Sequence, residues 1–238
     1  MAPLMEFRID REVFALCPDV VVGTLVARGV DNRGEPPAVG ELLAAATVAA
    51  RSRIGAAPLR DHPHIAAWRE TYARFGAKPS NYLSSIESLL KRAAAGSVRR
   101  ISPVVDLYNA ISLRFLVPVG AEDLDRLAGD VRLSVAGDHE PAVRMLGEAD
   151  ARAPHPGEVI YADDAGAICR RWNWKEAERT KLTPDTTNVL LVIEGLPPVG
   201  EPLVRDALDT AADLIRLHCG GNSATAVLSA QHPSVTLA

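Results

Sequence analysis

The sequence predicts an α+β protein in which helices come first, short strands follow and a long helix comes late. Three observations lead to this fold class. Apolar residues recur at spacings of three and four in several segments of the first hundred residues, which indicates amphipathic helices. Apolar and β-branched runs bounded by Gly, Pro and Asp recur between residues 131 and 196, which indicates strands. Residues 201–221 again show helical spacing, and a Gly pair ends them.

The first hundred residues predict one strand and three helices. The run VVVGTLVARGV at 20–30 predicts a buried strand, which the Asn, Gly and Pro residues of the next segment end. The Ala- and Leu-rich run at 38–54 predicts the first helix. One apolar face at 62–76 predicts the second helix, and the same spacing at 80–96 predicts the third.

From residue 103 onward the pattern changes. Residues 103–120 predict a helix that breaks near Pro118. The predicted strands that follow are 131–136, 158–163, 166–172 and 188–196. After the helix at 201–221, residues 222–238 are predicted to be a partly ordered tail, so we expect a single domain over 1–221.

Composition and motifs narrow the function classes. The 238 residues are 47% hydrophobic with a net charge of -4, as expected of a folded protein whose overall field does not attract nucleic acid. No apolar run approaches the roughly 20 residues of a membrane span, and the N-terminus lacks a signal-peptide layout, so we expect the cytoplasm and no membrane partner. Nucleophile-elbow, phosphate-loop, zinc-protease and dinucleotide motifs are absent, and we expect no cofactor. Pro63 between His62 and His64 argues against a metal pair, so no metal is expected.

One block stands out: RRWNWKEAERTKLT at 170–183 holds two of the three Trp residues within a run of basic residues. If the block is a strand, both indoles share one face and the polar side chains share the other. Trp and Arg planes suit the stacking of unpaired bases or of an aminoacyl adenosine, and Arg or Lys can hold phosphates. The candidate binding residues are Arg171, Trp172, Trp174, Lys175, Arg179 and Lys181. The alternative is that the Trp pair is core and the cations form salt bridges with Glu176 and Glu178.

Two segments resemble a known family. Residues 104–136 and 158–196 resemble the B3/B4 module of the bacterial phenylalanyl-tRNA synthetase β subunit. They are more similar to free-standing B3/B4-domain proteins, in which an RWNW block followed by RTK is typical. The likeness extends upstream through 72–96, so it covers most of residues 70–200. The resemblance implies a three-layer β-sandwich of unusual topology with a helical layer. In the synthetase this module hydrolyses tRNA mischarged with tyrosine.

The chain departs from the synthetase pattern at two positions. Gly120 stands where the synthetase has the editing histidine of its Pro-x-His-Ala motif. Val192 stands where the synthetase strand continues with a glutamate, and Glu194 follows on the same face of the predicted strand. The resemblance therefore implies the fold, whereas tyrosine-specific editing does not transfer.

The resemblance implies an RNA-binding protein, a trans-acting editing factor that hydrolyses mischarged aminoacyl-tRNA. Its expected partner is tRNA or aminoacyl-tRNA, and DNA is not expected. Ester hydrolysis needs a polarised carbonyl, for which Asn173 and Thr180 are candidates, and a positioned water, for which Glu194 and Asp163 are candidates. Asp163 also fits a plain turn before Gly166, where Asp is common.

Two other functions stay open at this stage. One is a non-catalytic module that binds tRNA, an amino acid or a nucleoside. The other is a protein-interaction domain, because a shared fold does not settle function. The aminoacylation motifs of a synthetase are not found, so the chain is not expected to act as a complete tRNA ligase.

Overall fold

The computed structural model describes residues 5–55 and 57–237, and helices and strands are mixed in this part of the chain. The six α-helices are α1 (Arg11–Leu16), α2 (Pro37–Ile54), α3 (Pro63–Arg74), α4 (Ser85–Ala94), α5 (Pro103–Phe115) and α6 (Glu201–Cys219). The twelve strands are β1 (Met5–Ile9), β2 (Val21–Arg28), β3 (Val119–Asp123), β4 (Val131–Val135), β5 (Val143–Arg144), β6 (Ala151–Arg152), β7 (Val159–Asp163), β8 (Gly166–Arg170), β9 (Lys175–Glu176), β10 (Asn188–Gly195), β11 (Asn222–Leu228) and β12 (Ser234–Leu237). Two short 3-10 helices span Leu59–Asp61 and Leu124–Arg126. The α+β prediction is confirmed.

The strands form two main sheets. One has six strands in the order β12-β1-β4-β7-β8-β9, and the other has four strands in the order β11-β2-β10-β3. The pair β1 and β4 is parallel, whereas the four-stranded sheet is antiparallel throughout. Strands β5 and β6 pair as a small separate ribbon.

The fold has three layers, because the four-stranded sheet packs against the six-stranded sheet on one face and against helices on the other. Leu190 and Val26 of this sheet share a core cluster with Leu133 of the six-stranded sheet. Leu191 and Leu25 point to the other face and share a second cluster with α5 and α6. Strand β2 is buried on both faces up to its last residue, which explains its mostly apolar sequence. The layered sandwich with a helical layer is therefore present.

A glycine allows α6 to approach the sheet closely. A Cβ atom at Gly23 of β2 would lie 2.6 Å from Leu208 Cδ1 and 2.8 Å from Val204 Cγ1. A larger residue at position 23 would clash with both side chains, so that they or helix α6 would have to shift. Gly23 thus fixes the helical layer against the strand that pairs with β10.

Local sequence features set the start of α4 and the end of α5, the two helices that border the cavity described below. Helix α4 begins after Ser84, whose hydroxyl accepts a hydrogen bond from the Glu87 N–H at 3.4 Å, so the helix starts later than the predicted 80–96. Helix α5 ends at Phe115 because Leu116 takes a left-handed conformation, with φ of 56°. The predicted break near Pro118 is confirmed, and the chain then enters strand β3.

The C-terminal segment differs from the predicted partly ordered tail. Strand β11 pairs with β2 along its whole length, and β12 pairs with β1. Leu228 and Leu237 are buried, with 0% and 4% of their surface exposed. The sequence does not predict these two edge strands because most of their other side chains are exposed and small or polar, so the apolar alternation typical of a strand is missing. A single domain over 1–221 stays a prediction.

No helix of the described residues is long and apolar enough to cross a membrane.

The order of the C-terminal segment can be tested by truncating a buried side chain in β11. We expect Leu228→Ala to lower the free energy of unfolding by about 2–5 kcal/mol, because a buried leucine leaves a cavity. Thr225→Ala, on the exposed face of the same strand, should change it by less than about 0.5 kcal/mol. Urea denaturation of both variants measures the difference. If Leu228→Ala is as neutral as its control, the partly ordered tail of the sequence prediction is the better description.

Candidate functional site

A cavity of about 280 Å³ lies between the two sheets. Strands β3 and β10 form one wall, β7 and β8 form the opposite wall, and helices α4 and α5 border it. The segment 172–176 from the RWNW block completes the lining. A volume just below the usual range for small-molecule sites, about 300–1,000 Å³, suits a ligand about the size of an amino acid. Apolar lining residues are Leu89, Val131, Leu146, Ile168 and Leu190.

The two positions at which the chain departs from the synthetase pattern face each other in this cavity. Gly120 of β3 is the register partner of Val192 of β10, and both line the cavity. A Cβ atom at Gly120 would meet nothing within 4 Å, so the space of the missing side chain belongs to the cavity. Two residues further along each strand, on the same faces, lie Glu122 and Glu194. The wall therefore has no histidine but carries two carboxyl groups.

The RWNW block is a turn rather than the predicted strand. Strand β8 ends at Arg170, and both Arg171 and Trp172 have positive φ angles, 46° and 64°. This conformation costs on the order of 1–3 kcal/mol for each non-glycine residue. Contacts of Trp172 offset part of that cost: its N–H donates to Val159 O at 2.6 Å, and its ring packs edge-on against Trp68. The turn sends Trp172 into the core and Trp174 to the cavity.

Glu194 is a buried carboxylate held by three neutral donors. Its Oε1 accepts from the Tyr161 hydroxyl at 2.6 Å and from Trp172 Nε1 at 2.5 Å. Its Oε2 accepts from Asn173 Nδ2 at 2.6 Å. The donors favour the ionised form, whereas burial opposes it, and burial dominates, so that the pKa of Glu194 rises to about 7. A carboxyl group with this pKa exchanges protons readily near neutral pH.

The side chain of Asn173 has a defined orientation. Its Oδ1 accepts from the Ser85 N–H at 3.2 Å and from the Tyr72 hydroxyl at 2.9 Å. The backbone N–H can only donate, so the oxygen must face it and the amide nitrogen must face Glu194. One amide hydrogen bonds Glu194 Oε2, which leaves the second available to a ligand. Asn173 lines the cavity and is therefore placed to donate to a carbonyl oxygen.

Two further cavity carboxyl groups were not among the sequence candidates. Burial, followed by the nearby charge of Glu176, raises the pKa of Glu122 well above its ordinary value. Burial also raises the pKa of Glu176 to about 7. From the sequence, Glu176 was interpreted only as a salt-bridge partner. Reading 119–123 as a strand would have shown that Gly120 and Glu122 share a face.

Most cations of the block are paired with carboxylates of the same chain. Arg170 forms a two-point ion pair with Glu158 at 2.9 Å, and Arg171 lies 3.7 Å from the same carboxylate. The Arg171 guanidinium also lies 3.8 Å from the centre of the Tyr82 ring. Lys175, a cavity-lining residue, bonds Glu148 at 2.8 Å. Salt bridges therefore account for much of the basic character of the block.

Five sequence candidates lie outside the cavity lining. Arg179 binds both oxygens of Asp163, at 2.8 and 2.5 Å, and Asp163 also accepts from the N–H groups of Ala128 and Ala165 at 2.9 Å. Thr180 is fully buried, and Lys181 bonds Glu178. Arg171, likewise absent from the lining, stacks behind Trp174, 4.8 Å from the centre of its ring. The structure thus brings Asn173, Glu194, Trp172, Trp174 and Lys175 together, without Asp163, Arg179, Thr180, Arg171 or Lys181.

One exposed cation lies at the border of the cavity. Arg92, at the end of α4, lines the cavity and makes no ion pair with the residues that the structure describes. An exposed, uncommitted guanidinium suits a phosphate or carboxylate group. The border of the cavity is thus locally basic, whereas its interior is acidic.

Metal ligands are not clustered in residues 5–55 and 57–237, where groups of three or more His, Cys, Asp or Glu suited to a metal ion were sought. His62 instead caps α3, its Nδ1 accepting from the His64 N–H at 3.3 Å.

The chain is similar to a known domain family and to beta subunits of phenylalanyl-tRNA synthetases. The B3/4 domain family model matches residues 67–220. The chain is 32% identical over 111 residues to the phenylalanine–tRNA ligase beta subunit of Leifsonia xyli subsp. xyli, a match that covers 47% of this chain and 13% of that subunit. The crystal structure of an N-terminal fragment of the phenylalanyl-tRNA synthetase beta subunit from Pyrococcus horikoshii aligns with 91% of this chain and 49% of that chain, with a TM-score of 0.47 and 13% identity.

The ion pair between Arg179 and Asp163 can be tested by removing the cation. We expect Arg179→Ala to lower the free energy of unfolding by about 3 kcal/mol, because the buried Asp163 carboxylate loses its partner. Lys181→Ala, which removes a more exposed cation from the same block, should cost less than about 1 kcal/mol. Urea denaturation at pH 7 compares them, and equal small losses would show that Arg179 is not structural.

The raised pKa of Glu176 predicts a stability change with pH. Because the folded-state pKa of about 7 exceeds the ordinary 4.5, the folded protein binds more protons than the unfolded chain between these values. The contribution of Glu176 to the free energy of unfolding is therefore fully present below about pH 4.5 and is lost as the pH rises through 7. We expect Glu176→Gln to raise the free energy of unfolding at pH 8, by on the order of 3 kcal/mol at most, and to change it little at pH 5.

Glu148→Gln is the matched control for this pH dependence. Its hydrogen bond from Lys175 lowers the pKa of Glu148, so its substitution should destabilise the protein at pH 8 and not stabilise it. Melting temperatures at both pH values measure these effects. A Glu176→Gln variant that is no more stable than wild type at pH 8 would contradict the raised pKa.

Proposed function

Because the chain belongs to the B3/4 domain family, we propose that it binds the aminoacylated 3′ end of a tRNA and hydrolyses the aminoacyl ester in the cavity between its sheets. The observation that supports this proposal most directly is the buried Glu194 carboxylate, which has a pKa of about 7 and accepts a hydrogen bond from the Asn173 amide. Both residues line a cavity about the size of an amino acid. A general base works best when its pKa lies near the working pH. An editing reaction of this kind removes amino acids that one binding step does not discriminate.

The proposed reaction uses water as the nucleophile. The water oxygen attacks the ester carbonyl carbon while Glu194 accepts the water proton. The free amide hydrogen of Asn173 donates to the carbonyl oxygen as negative charge develops there. The bond between the carbonyl carbon and the ribose oxygen then breaks, and the ribose oxygen takes up the proton. The products are a free amino acid and a tRNA with its terminal hydroxyl restored.

Contact with RNA is assigned to the border of the cavity. Arg92 is exposed there and is free to meet a terminal phosphate, and Trp174 offers an aromatic surface at the cavity. Lys175 and Arg171 are engaged with carboxylates and aromatic rings. Since few phosphates are neutralised, we expect affinity for tRNA to fall only gradually with salt.

A second candidate is a non-catalytic module that holds an amino acid or an aminoacyl end without hydrolysis. The observation that favours it is Gly120, which leaves the cavity without the histidine of the related synthetase pattern. A pocket that retains its polar groups but lacks a catalytic side chain binds and protects the ester.

The two candidates are separated by incubating the protein with a panel of correctly and wrongly charged tRNAs and following the release of amino acid. Hydrolysis predicts release by wild type, with losses of about 100-fold or more in Glu194→Gln and Asn173→Ala, because general-base and carbonyl-polarising groups each contribute roughly that much. Arg205→Ala, which removes an exposed cation on α6 far from the lining, should release at the wild-type rate. Protection of the ester without release supports the second candidate.

Tyr161→Phe tests the role of Glu194 without removing its carboxylate. The Tyr161 hydroxyl lowers the pKa of Glu194, so its loss should raise that pKa. Base-catalysed release should rise with pH around 7 in wild type, and this rise should move to higher pH in Tyr161→Phe. An unchanged pH profile would exclude Glu194 as the base. If tRNA does not bind at low salt in either charged or uncharged form, both RNA-based candidates fail.

A further inference from the structure

We infer that the aminoacyl side chain accepted by the cavity is cationic, ending in an ammonium or guanidinium group that Glu122 and Glu176 neutralise. The inference rests on the proposed function, because it names the substrate class of the same site. It assigns to this cation the part of the cavity that is lined by the neighbouring carboxyl groups of Glu122 and Glu176.

The first argument compares the partners of Glu122 and Glu176 with those of other buried carboxylates in the chain. Glu87, Asp106, Asp123, Glu158 and Asp163 are all buried, and each has an arginine within 4 Å. Glu194, also buried, instead has three neutral hydrogen-bond donors. Glu122 and Glu176 form no ion pair within the described residues, and Glu122 Oε2 is buried without a hydrogen-bond partner there. A buried charge without a partner is costly. Glu122 and Glu176 thus have neither an arginine partner nor the three donors of Glu194, since the nearby cations Arg179 and Lys181 form their ion pairs with Asp163 and Glu178.

The second argument is independent of charge. Asn109 of α5 lines the cavity and is 9% exposed, yet its side chain makes no hydrogen bond to any residue in the described ranges. Buried amide groups are normally satisfied. An ammonium group carries three donors, and a guanidinium carries five. Either carries enough donors to serve the two carboxyl groups and the Asn109 oxygen, which lines the same cavity.

The rest of the lining fits a chain of methylene groups that ends in a cation. Leu89, Val131, Ile168 and Leu190 supply apolar surface. The cations that line the cavity are not available inside it: Lys175 is bonded to Glu148, and Arg92 is exposed at the border. Burial raises the pKa values of three other lining residues, Tyr108, Tyr161 and Cys169, well above their ordinary values, so these groups stay neutral and do not compete as charged partners.

Binding of free ligands to the full chain tests this inference separately from hydrolysis. Isothermal titration at pH 8 compares L-lysine methyl ester with L-norleucine methyl ester, which has a similar apolar chain but no side-chain cation. We expect lysine ester to bind at least about tenfold tighter, because hydrogen bonds between charged groups are stronger than those between neutral ones. Glu122→Gln and Glu176→Gln should remove this preference. Glu178→Gln, whose carboxylate lies outside the lining and bonds Lys181, should retain it.

Equal affinity for the two esters, or a lysine preference that survives both cavity substitutions, overturns the inference. Cadaverine, an alkyl diamine without a carboxyl group, separates two sources of the same cation. If cadaverine binds tighter than lysine ester and depends on Glu122, the ammonium site stands but its assignment to an aminoacyl side chain is overturned. The proposed function fails independently, namely if no charged tRNA is bound or deacylated while lysine ester still binds.

Discussion

The site depends on one buried carboxylate that neutral donors hold. Glu194 on β10 receives hydrogen bonds from Tyr161 on β7 and from Trp172 and Asn173 in the turn after β8, so a single side chain joins the two sheets. Its removal would leave three buried donors unsatisfied, which costs more than the bonds themselves contribute. Because the partners are neutral, the carboxyl group keeps a pKa of about 7 instead of being locked in the ionised state by an arginine. The same arrangement therefore joins the two sheets and, under the proposed function, serves proton transfer.

The left-handed pair Arg171 and Trp172 follows from this constraint. An extended strand would place residues 172 and 173 on opposite faces, so that only one of them could reach Glu194. The turn lets both the indole N–H and the Asn173 amide reach it, while Arg171 stacks on Tyr82 next to Glu158. Backbone strain at a non-glycine residue persists only where the surroundings fix it, and it concentrates at functional sites.

The sequence predicts elements whose periodicity continues for many residues and misses features set by distant partners. The buried strands β2 and β10 and the helices α2, α3 and α6 follow from local pattern. The edge strands β11 and β12 do not, because their order comes from pairing with strands about two hundred residues away. Within the site, Asn173, Glu194 and Trp174 were identified from the motif and line the cavity. Arg179 and Asp163 were candidates by composition, but only the fold shows that they satisfy each other. Glu122 was missed because 119–123 follows a helix directly and its strand register depends on β10.

The departures from the synthetase pattern change where charged side chains lie on the cavity wall formed by β3 and β10. Gly120 and Val192 face each other where that pattern has a histidine and a glutamate, and carboxyl groups occur instead two residues along, at Glu122 and Glu194. The two groups have different surroundings: Glu194 accepts three hydrogen bonds, whereas Glu122 has a buried oxygen without one. An unpaired buried carboxyl group lowers stability, and such groups are common at functional sites. A carboxylate that is held by donors and keeps one acceptor position suits positioning or proton transfer, and an unsatisfied one suits a partner that arrives with the ligand. On this wall, chemistry and specificity would thus be assigned to different carboxyl groups of the same face.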